Sequence, residues 1–179
     1  MPKCKICEQP FEKLYNSFQK TCPQTSCMVE WGKKQQEKQY KQRTRELRKK
    51  VREKDHGWHV QTLQKEFNKW IRFRDKDKPC IACGRFDPPY HPNKGQWDAG
   101  HFRSTGAHPE LRFVEINCHK ECVYCNTNDT EHLIKYQDSL VKLYGQETVD
   151  ELKGPHKPKH YTIPELQEMT RDYRQRLKC

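Results

Sequence analysis

Eight cysteines in paired spacing constrain this chain more than anything else in it. Cys4-x2-Cys7 is followed by Cys22-x4-Cys27, and Cys80-x2-Cys83 by Cys122-x2-Cys125. Each set offers four thiolates, the ligand set of a closed tetrahedral structural zinc site, so two structural Zn2+ ions are expected. The composition calls for such staples. Of 179 residues, 32% are hydrophobic and 33% charged, too little apolar material for a large core. Disulfides are the competing use of the thiols. However, Met1-Pro2-Lys3-Cys4 runs into a ligand pair with no apolar leader, and no run of about 18 apolar residues is present to span a bilayer. The expectation is a reducing cytoplasm, metal rather than disulfide, and no membrane partner. Cys118 and His119 are spare donors beside the second set. Cys118 reads as a small core residue and Cys179 as uncommitted.

The formal net charge of +11 favours a polyanionic partner, DNA or RNA ahead of an anionic membrane surface. Its distribution sharpens this. From Met28 to about Lys54 there is no proline, and the composition predicts a long exposed helix. Between Lys33 and Lys54 stand eleven basic residues against three acidic ones. Lys33, Lys34, Lys41, Arg45, Arg48, Lys49 and Arg52 are candidates for tracking phosphates, and a solvated linker helix is the alternative.

Four segments follow along the chain. Residues 1–27 form an N-terminal zinc-binding unit in which Phe11, Leu14, Tyr15 and Phe18 supply apolar contacts. Residues 28–76 hold the basic arm and then an amphipathic helix, about Val60 to Arg74, with Val60, Leu63, Phe67, Trp70 and Ile71 on one stripe. Residues 77–130 make a zinc-stapled core. Its hairpin is expected to pair Gln96–Phe102 with Glu110–Val114, and a helix is expected from about Cys122. Residues 131–179 are helical: one helix runs from about Glu131 to Tyr144, and another starts at the capping box Thr162-Ile163-Pro164-Glu165.

Within the third segment the second cysteine set pins the hairpin against the helix near Cys122. That brings the His101 imidazole, the Asn126 amide and the Asp98 carboxylate around a point a phosphate can approach. Phosphodiester hydrolysis needs a deprotonated water, charge relief on phosphate oxygens and a stabilised leaving oxygen. A neutral imidazole supplies the first, and a hard divalent cation on oxygen ligands supplies the others. Arg103, Arg112 and Lys120 are close enough in sequence to contact nearby phosphates.

The stretch from Cys80 to Asn126 resembles HNH (ββα-metal) nucleases. Trp97-Asp98-Ala99-Gly100-His101-Phe102-Arg103-Ser104, Gly106-Ala107-His108-Pro109-Glu110-Leu111-Arg112-Phe113 and Asn117-Cys118-His119-Lys120-Glu121-Cys122 are similar to the NinG (Rap) family of phage recombination endonucleases. The likeness extends to the N-terminal cysteines and the C-terminal helical segment. It implies a small zinc-stapled α+β fold: an HNH ββα-metal core, an N-terminal zinc knuckle, a long basic helix and C-terminal helices. The implied activity is structure-specific cleavage of branched DNA, Holliday junctions and D-loops, in the host cytoplasm. The resemblance further implies His101 as general base, Asn117 as the brace of the loop before the helix, and Asn126 as a ligand of a catalytic Mg2+ or Mn2+. One departure stands out. Such sites place a carboxylate or histidine just before the first histidine, where this chain has Gly100. Asp98 shares Gly100's face on a strand and is nominated as replacement ligand, with His108 and His119 as rivals. Two readings compete with the junction nuclease: a catalytically silent zinc protein that binds nucleic acid, and an HNH nuclease with a defined cleavage sequence. The paired cuts of a four-way junction suit a homodimer.

Overall fold

The structure, a computed structural model, describes residues 1–128 and 131–178. Cys179 lies outside the described residues. The chain divides into two units, Met1–Asp55 and His56–Cys179. The basic helix belongs with the first cysteine set, and the amphipathic helix belongs with the second.

In the first unit a knuckle carrying Cys4 and Cys7 leads to helix α1, Thr25–Lys54, whose first turn supplies Cys27. Cys27 is the only residue of α1 that is buried. Phe11 is buried against the cysteines, but Leu14, Tyr15 and Phe18 are exposed, so the apolar contacts expected of them are not made. The two knuckles share a backbone device. The residue after the second cysteine has positive φ in both, Glu8 at 61° and Gly84 at 70°. That conformation is free for glycine and costs a side-chain residue about 1 kcal/mol.

The second unit opens with α2, His56–Arg74, which lays Leu63, Phe67 and Ile71 against Phe113, Cys118, and Leu166 and Tyr173 of α6, Ile163–Arg176. Burial of such side chains contributes about 1.5–3 kcal/mol each. Helix α6 starts at the capping box: Thr162 N–H donates to Glu165 Oε2 at 2.7 Å, and Glu165 N–H to Thr162 Oγ1 at 3.4 Å. Strands β1, Trp97–His101, and β2, Cys118–Cys122, pair antiparallel, with Trp97 opposite Cys122 and His101 opposite Cys118. Helix α3, Val123–Asn128, continues directly from β2. Helices α4, His132–Tyr144, and α5, Gln146–Lys153, close a second apolar cluster of Phe102, Leu111, Tyr136, Leu140, Val149 and Leu152. Among the described residues no helix is long and apolar enough to cross a membrane.

The second strand is not Glu110–Val114. That segment lies in a loop with two 3-10 turns, Pro109–Leu111 and Glu115–Asn117. Pro109 lacks the N–H a ladder needs, and the N–H groups of Leu111, Arg112 and Val114 bond within the loop, to the carbonyls of His108, Pro109 and Leu111. The strand is Cys-His-Lys-Glu-Cys, buried at all five positions.

Asp75, just past α2, ties that helix to β2. It is buried, accepts from Arg74 at 2.9 and 2.6 Å, from Lys78 at 3.0 Å and from the Lys120 backbone N–H at 3.2 Å. Burial alone raises a carboxyl pKa, but the Arg74 and Lys78 cations overcome it and hold Asp75 at about 2. Because this is below the ordinary value of about 3.9, the stabilisation is complete above about pH 4 and fades only as pH falls toward 2. Asp75→Asn is expected to lower unfolding free energy by about 2–3 kcal/mol, equally at about pH 7 and about pH 5.5, measured by urea denaturation. A loss that appears at only one of these pH values would contradict the assignment.

Candidate active site

Each cysteine set forms one cluster whose four sulfurs lie within 4.8 Å of one another. Cys7 and Cys22 sulfurs are 3.8 Å apart, and those of Cys83 and Cys122 are 3.9 Å apart. A disulfide needs about 2.05 Å. Four thiolates around one zinc, with Zn–S bonds of about 2.3 Å, give sulfur separations of about 3.8 Å. The donor sets fit structural zinc. Within each group the thiols differ: burial, then the neighbouring sulfurs, pushes Cys27 up to about 12 and burial pushes Cys80 up to about 12, whereas backbone N–H groups around the knuckles outweigh burial and lower Cys4 to about 6 and Cys83 below the usual thiol value. Bound zinc displaces those protons. Cys118 lies outside both groups, fully buried among the apolar residues of α2 and α6.

The second group sets the geometry. Cys122 ends β2 and Cys125 lies in α3, so an ion held by this group would fix the strand-to-helix step. Asn126 follows at once and donates from Nδ2 to Asp98 Oδ2 at 3.0 Å across to β1. A carboxylate only accepts, so the Asn126 amide is turned with its NH2 to Asp98 and its oxygen elsewhere.

His101, at the end of β1, points to the other face of the sheet. Its ring stacks on Phe67 with centroids 6.0 Å apart, and Nε2 is 2.9 Å from the Arg112 carbonyl oxygen. Nδ1 lies 3.6 Å from the Cys118 sulfur. Burial, then the nearby Arg112 charge, lowers its pKa below the usual histidine value, although the Arg112 carbonyl opposes this. The ring is neutral at pH 7. Because the carbonyl can only accept, the proton sits on Nε2 and the lone pair on Nδ1.

Asn117 is buried and laces the loop that separates the strands. Its Oδ1 accepts from Arg103 N–H at 2.8 Å, and its Nδ2 donates to the carbonyls of Arg103 at 3.0 Å and Leu111 at 3.2 Å. A cavity of about 380 Å³ opens beside this loop, lined by His101, Arg103, His108, Asn126, His132 and Leu133 among others. Arg103 donates to His108 Nε2 at 2.6 Å, so His108 Nδ1 carries the proton toward Glu110 at 3.2 Å. His101 and Asn126 thus share one cavity, whereas Asp98 lines a second.

That second cavity, about 560 Å³, collects Arg72, Lys76, Lys94 and Lys120 around Trp97 and Asp98. Lys120 is not the surface phosphate contact expected from sequence. It is buried, donates to the Lys76 carbonyl at 2.9 Å and sits 4.2 Å from the centre of the Trp97 ring. Arg112 is half-buried and reaches Gln64 and the Thr105 carbonyl, both at 3.4 Å. His119 is held between the hydroxyls of Tyr136 at 3.2 Å and Tyr144 at 3.0 Å, and burial pulls its pKa down to about 4. It is a neutral brace inside the core. The basic residues named on α1 are exposed, with Lys34 and Lys41 paired to Glu30 and Glu37 one turn earlier.

Sequence reasoning missed His132 and Glu121. Glu121 is fully buried in β2, and its Oε1 accepts from His132 Nδ1 at 2.8 Å. The available signal was Gly100: an added Cβ there would lie 2.0 Å from Glu121 Oε2. Among the described residues, the only groups of three or more His, Cys, Asp or Glu donors close enough for one ion are the two cysteine sets.

Helices with one small antiparallel sheet, carrying two four-cysteine groups able to hold metal, define a small α+β protein with two candidate structural zinc sites. The chain belongs to the NinG family, matching the family described as Bacteriophage Lambda NinG protein over residues 1–179. It is 37% identical over 190 residues to Protein ninG of Escherichia phage 933W, covering 98% of this chain and 92% of that one. It is 41% identical over 125 residues to Protein ninG of Escherichia phage lambda, covering 70% of this chain and 58% of that one. The protein of the same name from Salmonella phage P22 is 39% identical over 125 residues, covering 70% and 59%. No solved structure matches the chain.

Two zinc ions per chain are expected by elemental analysis, falling to about one in Cys83→Ser and staying at two in Cys118→Ala. Zinc content unchanged by Cys83→Ser would remove the second site.

Proposed function

We propose that this chain is a divalent-metal-dependent DNA endonuclease built on an HNH-type ββα core and acting on branched recombination intermediates. The observation that carries the reading is the shared cavity: His101 from the end of β1 and Asn126 from α3 line it together, beside a loop laced by Asn117. The order strand, loop, strand, helix, carrying His101, Asn117 and Asn126 in turn, supports this reading.

In this reading a neutral His101, with its proton held toward the Arg112 carbonyl, accepts a proton from water at the other ring nitrogen. Asn126 offers this cavity a hard oxygen donor of the kind Mg2+ or Mn2+ takes, with phosphate oxygens and water to complete the shell, while Asp98, which holds the Asn126 NH2 and lines the neighbouring cavity, orients that amide instead of sharing the cation. When bound, the cation relieves charge on the phosphate and the leaving oxygen. Arg103 at the cavity rim, and Lys76 and Lys94 beside Asp98, offer phosphate contacts. The exposed cations of α1 supply affinity without sequence preference. Branched DNA as substrate follows from the resemblance to phage recombination endonucleases, and two copies of the chain would supply paired cuts.

One observation favours a second reading, a silent nucleic-acid-binding zinc protein. Both nitrogens of His101 lie next to protein atoms, so the ring must turn or its Cys118 contact must yield before it meets water. Cleavage decides between the two. With Mg2+ or Mn2+, the wild type is expected to cut four-way junctions and D-loops in preference to linear duplex or single strands. His101→Ala is expected to lose about 100-fold or more in rate while keeping its zinc and its DNA affinity. Intact DNA in every wild-type reaction supports the silent binder, and a unique cut in linear duplex supports a sequence-specific nuclease.

A further inference from the structure

Gly100 leaves a question that the cavity answers. Its backbone is ordinary, and its position is closed by a neighbour: a Cβ built there would stand 2.0 Å from Glu121 Oε2 and 2.9 Å from Glu121 Cβ. Real side chains do not tolerate such contacts, so only glycine fits. The residue missing from β1 is therefore matched by a carboxylate from β2, whose oxygen lies where a side chain at position 100 would begin. Asp98 opposite Glu121, and Gly100 opposite His119, put these four residues on one face of the sheet, the face toward α3 and α4.

The Glu121 carboxylate reaches α4, where Oε1 accepts the Nδ1 proton of His132 at 2.8 Å. A carboxylate cannot donate, so His132 Nδ1 carries a proton toward Glu121, and Nε2, across the ring, is the nitrogen that can meet a cation. His132 is half-buried and lines the same cavity as His101 and Asn126. A histidine oriented by a buried carboxylate, with its second nitrogen left as a donor, is the usual build of a metal-ligating imidazole.

We propose that His132 is a nitrogen ligand of the exchangeable cation in this cavity, with Glu121 as its positioning residue and Gly100 as the space that admits Glu121. The inference rests on the endonuclease reading for the purpose of the cation, but its geometry stands on the cavity alone. It makes the donor set mixed, imidazole nitrogen with the Asn126 amide oxygen. Such a set favours Mn2+ over Mg2+, because imidazole suits later first-row ions and Mg2+ prefers oxygen alone. The bland alternative is that Glu121 and His132 merely fasten α4 to β2.

His132→Gln separates these roles, since the glutamine amide can still donate to Glu121 but lacks the imidazole nitrogen. Zinc-loaded wild type, His132→Gln, His132→Ala and Glu121→Gln would be titrated with Mn2+, with free Mn2+ followed by electron paramagnetic resonance. Mg2+ would be the competitor, and thermal unfolding with zinc content the check on folding. Wild type is expected to hold one Mn2+ per chain. Both His132 variants should weaken it by about 10-fold or more, Glu121→Gln by about 10-fold, and the preference for Mn2+ over Mg2+ should shrink in all three. A His132→Gln protein that binds Mn2+ as wild type does overturns the proposal, as does a wild type with no Mn2+ site. Mn2+ binding that depends on His132, alongside intact DNA in every cleavage reaction, supports the site and overturns the endonuclease reading instead.

Discussion

Four sulfurs, those of Cys80, Cys83, Cys122 and Cys125, converge at the point on which the arrangement of the second unit's candidate site depends. They join a knuckle to the end of β2 and the first turns of α3, segments about forty residues apart in the chain. Two apolar clusters of this unit lie away from the strand-to-helix step, and at the step itself only Ala82 and Trp97 pack with Cys80, Cys122 and Cys125. An ion with four short bonds fixes that step far more tightly than burial of a few side chains could. Asn126 is placed by being next in sequence to a ligand, and Glu121 by being the residue before one.

Polar groups complete what the sulfurs start. Arg74 donates to the carbonyls of Glu115 at 3.0 Å and Cys118 at 2.9 Å, while Asp75 takes the Lys120 amide, so two consecutive residues at the end of α2 grip β2 along its length. On the opposite face Tyr136 donates to the Gly100 carbonyl at 2.9 Å and meets His119, which fastens α4 to the strand pair. Asp75, Lys120, His119 and Glu121 each meet polar partners, which lets a chain with so few apolar residues bury two carboxylates, a lysine and two histidines among its described residues.

Much of this was legible in the residues. The cysteine spacings name both groups, the α2 stripe names its buried face, and Thr162 with Glu165 marks the start of α6. Strand β2 was not legible, because Cys-His-Lys-Glu-Cys has neither the alternation nor the residue types of a strand. Its pairing is imposed by the sulfurs, by Asp75 and by the partner strand. Lys120 looked like a surface cation for the same reason: nothing local says that Lys76 and Trp97 will enclose it. The placement of Asp98 beside Asn126 came from counting faces along one strand. The pairing of Glu121 with His132 needs three elements at once, and Gly100 was its only trace in the sequence.

The second sulfur group is the organiser of the cavity. Hydrogen exchange on zinc-loaded wild type and on Cys83→Ser tests this directly. The amides of Trp97–His101 and of α3 are predicted to lose protection by about 100-fold or more in the variant, while those of α1 in the other unit keep theirs. Unchanged protection in β1 and α3 would show that the strand-to-helix step holds without the metal, and would contradict the account.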